Sequence, residues 1–132
     1  MANGTRPEVE YLPFESEALQ ALPFSEAVRV GHTLYLSGQM GVGDDGKLVP
    51  GGIVAETRQA MENIKAVLER HGATLDNVVK VTVMLADMQE WAAMNQVYLP
   101  YFPTHRPARS AFGASGLALG GRVEIECVAV LP

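Results

Sequence analysis

The sequence predicts an α+β fold, one sheet with two crossover helices packed on a single face. Three observations carry that expectation. Short β-branched segments alternate with two longer segments whose apolar residues recur at helical spacing. Turn signals separate them in the order β-β-α-β-α-β-β, and nothing repeats at a fixed period.

Ala27-Val28-Arg29-Val30 and Thr33-Leu34-Tyr35-Leu36 flank Gly31-His32, a two-residue link that predicts a tight β-hairpin. Asp44-Asp45-Gly46 marks the next turn. From Ile53 to Arg70 the apolar residues Ile53, Ala60, Met61, Ile64, Val67 and Leu68 fall on one helical face, and His71-Gly72 supplies the stop. Val78 to Leu85 is apolar or β-branched at almost every position, the pattern of a central strand buried on both faces. Asp87, with Glu90 three residues on, resembles a capping box for a second helix, in which Trp91, Met94 and Tyr98 recur before Pro100 ends the run. Arg109 to Ala114 and Arg122 to Val130 read as the last two strands. Because the Gly-rich stretch from Ser115 to Gly121 joins them, they are expected to pair antiparallel.

The 132 residues, 48% hydrophobic and 19% charged, suit one domain with a sizeable core. We divide the chain into an N-terminal extension, 1–21, and a single domain, 22–132. Two helices cover only one face of a sheet, yet the strand at Val78 to Leu85 and the last strand point apolar side chains both ways. A second subunit is therefore expected to bury the other face.

Fifteen acidic residues against ten basic ones give a net charge of −5, which argues against general nucleic-acid binding. No segment is long and apolar enough to span a bilayer. The charged stretch from Met1 to Glu15 does not resemble a secretory signal, so a cytoplasmic location is expected. Cys127 is the only cysteine, is expected in the core, and fits a reducing compartment. His32, His71 and His105 lack metal-ligand spacing, so no metal site is expected. Neither a Walker loop nor a G-x-S-x-G elbow is present.

The segment Arg106-Pro-Ala-Arg-Ser-Ala-Phe, followed by Gly-Leu-Ala-Leu-Gly-Gly-Arg-Val-Glu-Ile-Glu-Cys-Val-Ala-Val, resembles the signature of the Rid (reactive intermediate deaminase, YjgF-type) family. Ser37-Gly38-Gln39 is similar to that family's S-G-Q turn, Glu62-Asn63-Ile64 to its helix pattern, and Asn95 with Tyr98 to its N-x-x-Y. The likeness runs from about Leu22 to Val130. It implies a chorismate-mutase-like fold, a homotrimer with barrel-like packing of the sheets, and ligand clefts between subunits. It also implies hydrolysis of enamine and imine intermediates, 2-iminopropanoate and 2-iminobutanoate among them, to 2-keto acids and ammonia without a cofactor.

By residue type alone, an arginine at a strand start is a solvated surface charge. Arg109, however, matches the family's substrate arginine, and its planar fork suits a carboxylate held by two parallel hydrogen bonds. Glu124 matches the family's acidic residue near the attacking water, where a carboxylate orients or partly deprotonates it. Read without the family, it is an outward-facing strand residue. Glu126 is read as structural or as an interface charge, and Arg106 and Arg122 as surface or interface charges.

Substrate contacts are further implied for Ser37, Gly38 and Asn95, each of which has a purely structural alternative as a strand end or a local cap. Phe24 stands where many members have a tyrosine, so only apolar contact carries over. Ala111 stands where many have a cysteine, which argues against obligatory thiol chemistry. Two other functions stay open. One is a non-catalytic binder of 2-keto acids, which would use the same arginine; the other is an endoribonuclease, disfavoured by the acidic balance and the lack of an aromatic-basic platform.

Overall fold

The computed structural model of the chain describes residues 6–132. Its strands are β1 (Val9–Leu12), β2 (Ala27–Val30), β3 (Thr33–Met40), β4 (Val78–Leu85), β5 (Ala108–Gly113) and β6 (Val123–Val130). The helices are α1 (Glu17–Gln20), α2 (Gly52–Arg70) and α3 (Trp91–Tyr98). One six-stranded sheet results, in the order β1-β2-β3-β6-β4-β5.

The predicted hairpin forms as β2 and β3, paired Val30 to Thr33 and Ala27 to Leu36. Gly31 holds φ at 58°, the left-handed backbone that the first position of so tight a turn requires. α2 presents Ile53, Ala60, Met61, Ile64, Val67 and Leu68 to the sheet, the stripe read from the sequence. Asp87 accepts from the Gln89 N–H at 2.9 Å and opens a 3-10 turn before α3. Glu90 does not complete the expected capping box; its carboxylate accepts from Arg122 Nε at 2.7 Å instead.

The last two strands depart from expectation. β5 pairs with β4 in parallel, and β6 lies antiparallel between β3 and β4, so β5 and β6 run in opposite directions without touching. The reason is the crossover through α3. A chain that leaves β4, runs along a helix and returns must enter parallel to β4, and the link after β5 then passes the end of β4 to reach its far side.

Before residue 22, Val9–Leu12 pairs with β2 as an edge strand, which the sequence did not reveal. Three of its four side chains are exposed, so the short alternation Glu8-Val9-Glu10-Tyr11 marks no buried face.

Side chains alternate along β6. Val123, Ile125, Cys127 and Ala129 are buried under the helices with Leu34, Leu36, Val81, Val83 and Leu85. The opposite face bears Tyr35 and Phe112, each 48% exposed, and Val130, 43% exposed, beside Glu124, Glu126 and Lys80. α2 and α3 both cover the first face; the second is bare and only partly apolar.

Ile125 is fully buried at the centre of that layer. Ile125→Ala should cost about 3 kcal/mol, read from urea denaturation; a loss below about 1 kcal/mol would show that the core is not centred there.

Candidate functional site

Two groups of side chains emerge, one on each face of the sheet. The first lies between α3 and β5. In the parallel register Arg109 sits beside Val81 and Ala111 beside Val83, so both point toward the helices. The Arg109 guanidinium carbon lies 4.8 Å from the Tyr98 ring centroid and 5.9 Å from that of Trp91. Nη1 is 3.9 Å from the Met94 sulfur. These partners fix the guanidinium plane without neutralising its charge. Among the described residues, no carboxylate comes within ion-pair distance of it.

Beside it, Asn95 Oδ1 and the Tyr98 hydroxyl are buried without hydrogen-bond partners. Polar atoms so placed are costly unless something else satisfies them. Burial pushes the Tyr98 hydroxyl up to about 12, against the lowering effect of Arg109, so it stays protonated. A cavity of about 310 Å³ opens here, lined by Trp91, Asn95, Tyr98, Phe102, Arg106 and Arg109. Arg109 and Asn95 are thus brought together. Ala111 packs against the core.

Sequence reasoning missed the aromatic seat of Arg109. Trp91, Met94, Asn95 and Tyr98 are spaced three, four and seven residues apart, one face of α3, and that spacing was the available signal. Arg106, read from the sequence as a surface or interface charge, is exposed and also lines this cavity.

The second group surrounds Glu124. Its neighbours in register are Met40 on β3 and Met84 on β4, on the bare face. The carboxylate lies against the Gly38 backbone: a methyl group at Gly38 would overlap Oε2 and stand 3.0 Å from Cδ. Burial, then the like charge of Glu126, raises the Glu124 carboxyl above its ordinary value. Ser37 is committed within its own chain, its hydroxyl donating to the Ser25 carbonyl at 2.6 Å. Phe24 is 49% exposed and meets Phe14 edge to face at 5.9 Å between centroids.

Within one chain the groups do not meet. β4 separates β5 from β6, roughly 10 Å across two strand spacings, and Arg109 and Glu124 point to opposite faces. Among the described residues no cluster of three or more His, Cys, Asp or Glu side chains is placed to hold a metal. Among the described residues no helix is long and apolar enough to cross a membrane.

Comparison with known proteins agrees with this fold. The family model described as Endoribonuclease L-PSP matches residues 15–131. A Capra hircus protein named 2-iminobutanoate/2-iminopropanoate deaminase is 50% identical over 109 residues, 82% of this chain and 80% of that one. The Homo sapiens protein of the same name is 43% identical over 109 residues, again 82% and 80%. The crystal structure of RidA from an Antarctic Psychrobacter superposes with a TM-score of 0.81 at 34% identity, covering 96% of this chain and 99% of the other. Sequence signature, sheet order and relatives converge, and the chain belongs to the Rid (YjgF-type) family.

Proposed function

We propose that this chain is a 2-imino acid deaminase of the kind its mammalian relatives are named for, hydrolysing 2-iminopropanoate, 2-iminobutanoate and their enamine tautomers to 2-keto acids and ammonia. The observation that carries this is Arg109: a guanidinium seated on aromatic rings, facing unsatisfied buried polar atoms, with no carboxylate of the described chain to neutralise it. That is a receptor for a small carboxylate.

The chemistry needs little more. A protonated imine is already electrophilic, so the enzyme must hold the substrate carboxylate, place one water and accept its proton. In our reading Arg109 holds the carboxylate and Asn95 contacts the substrate nearby. Glu124 takes a proton from the water as its oxygen bonds to the imine carbon. Glu124 then returns that proton to the amino nitrogen of the carbinolamine, and as the C–N bond breaks ammonia leaves and the hydroxyl, losing its own proton, becomes the keto acid's carbonyl. Gly38 supplies the close approach along Glu124, Ser37 fixes that turn, and Phe24 and Ala111 contribute apolar contact. None of these steps calls on a metal or an organic cofactor.

Since Arg109 and Glu124 face opposite ways, the site requires a second copy. We infer a homotrimer of chorismate-mutase-like protomers, with the bare sheet faces packed in a barrel and Arg109 of each chain meeting Glu124 of the partner subunit. The exposed Tyr35, Phe112 and Val130 support that packing. In the same reading 22–132 is the catalytic domain and 1–21 an extension that adds β1. A cytoplasmic location, upstream of metabolite damage, suits a chain whose single thiol, Cys127, is buried and held protonated, its pKa pushed up to about 12. A net charge of −5 speaks against RNA as the substrate.

The direct test is keto-acid release while a dehydratase generates the imine in situ. Arg109→Ala should lower kcat/KM by roughly 100-fold, the worth of about 3 kcal/mol in two charge-assisted hydrogen bonds. Acceleration that survives the substitution would remove Arg109 from the mechanism, and tight keto-acid binding without turnover would favour the binder.

Glu124 also makes a pH prediction. Its carboxyl is raised by burial and by Glu126, so the active carboxylate is lost, as pH falls, sooner than an ordinary glutamate would lose its charge. Glu126→Gln removes the like charge and should move the acid limb of the kcat profile to lower pH; a limb that stays put would mean that another group sets it. The same raised value means that the protonated form favours the fold, a contribution lost as pH rises through it. Glu124→Gln should therefore cut kcat while leaving thermal stability at neutral pH unchanged or higher.

A further inference from the structure

Glu26 is 4% exposed, an acidic side chain taken out of water immediately before β2. Its carboxylate is held at the end of α2. Oε2 accepts from Arg70 Nη2 at 2.6 Å, and Oε1 lies 3.1 Å from His71 Nε2. Arg70 reaches outward as well, with Nε 3.3 Å from Glu15 Oε1. Arg70, His71 and Glu15 are the charged and titratable groups of this cluster. With the Arg70 side chain 32% exposed and Glu26 out of water, the attraction of the pair is largely offset by solvent screening and desolvation, so it adds little stability. What it does supply is a fixed direction.

That direction is passed on through the backbone. The Glu26 N–H donates to the Leu12 carbonyl at 3.0 Å, and the Glu26 carbonyl accepts from the Ser37 N–H at 3.0 Å. The neighbouring Ser25 carbonyl takes the Ser37 hydroxyl at 2.6 Å. Ser37 and Gly38 have little other support on this side, because the pairing of β3 with β6 breaks register between Leu36 and Gln39. They hang from Ser25 and Glu26. Gly38 in turn forms the floor on which the Glu124 carboxylate rests.

We infer that Glu26 is a positioning residue for Glu124: clamped by Arg70 and His71, it fixes Ser37 and Gly38 and so sets where the carboxylate places its water. The inference rests on the deaminase reading. It goes beyond that reading in assigning a function to an ion cluster on the far side of the β2-β3 hairpin, none of whose members touches substrate. Arg109 takes no part in this chain of contacts, its guanidinium being held by Trp91, Met94 and Tyr98.

The test separates kcat from KM in the full-length protein, with thermal denaturation confirming that each variant folds. Glu26→Gln keeps the shape and removes the charge. Arg70→Gln loosens the clamp from the other side, and decides the matter if Glu26→Gln does not fold. Each should lower kcat by about tenfold while KM stays within about twofold, and the double variant should be no worse than the poorer single one, since the two act as a unit. Folded variants with wild-type kcat, or with KM raised and kcat unchanged, would overturn the inference. Glu124→Gln, measured in parallel, tells the two failures apart. If it cuts kcat and the Glu26 and Arg70 variants do not, only the positioning role falls; if it leaves kcat intact, the water-placing role of Glu124 falls and this inference with it.

Discussion

Alternation along β6 is the constraint on which both fold and site depend. Val123, Ile125, Cys127 and Ala129 point under the helices and build the core; Glu124, Glu126, Val128 and Val130 point the other way. A slip of one residue would exchange the two sets, burying two carboxylates among apolar side chains. Antiparallel neighbours on both sides of β6 hold that register. The strand that makes the core also delivers Glu124 to the bare face, so the core and the proposed chemistry share one geometric origin.

Charge is distributed to match. Arg70 is engaged by Glu15 and Glu26, and Arg122 by Glu90, so these cations serve the fold. Arg109 is treated differently, its guanidinium held by ring faces and a thioether. Aromatic seats orient a cation while leaving its hydrogen-bonding edge free, whereas a carboxylate seat would occupy that edge. On the other face Glu124 and Glu126 share a strand side, and partial burial, with the repulsion of Glu126 added, keeps Glu124 easier to protonate than a free carboxylate. Arg109 and Glu124 thus lie on opposite sides of one sheet, an arrangement that suits the proposed division of the site between subunits.

Much of this was legible in the sequence because periodicity reports burial. The helical stripe of α2, the hairpin around Gly31 and the apolar run of β4 all follow from which side chains must leave water. Neighbour relations were less legible. The Gly-rich link suggested that β5 and β6 pair, but a flexible connection says nothing about which strand it steps over, and α3 had already placed β5 parallel to β4. β1 escaped notice because it is four residues long and mostly exposed, so its brief alternation reports no burial. Glu26 and Glu56 were invisible as structural residues, since acidic side chains are ordinarily solvated and their partners lie far away in sequence. Glu56, for example, receives the Arg122 N–H at 2.8 Å across sixty-six positions. Arg109 and Glu124 could be named from the family motif, but their opposite orientations required the sheet order.

The central claim is that catalysis takes Arg109 from one chain and Glu124 from another, and mixed oligomers test it most directly. Chains carrying Arg109→Ala and chains carrying Glu124→Ala, each inactive alone, are co-expressed, and the mixed assemblies are verified by mass spectrometry. Random assembly around a closed ring should restore about a quarter of wild-type activity, because some interfaces then join two intact residues. Mixed assemblies as inactive as their parents would contradict a site shared between subunits.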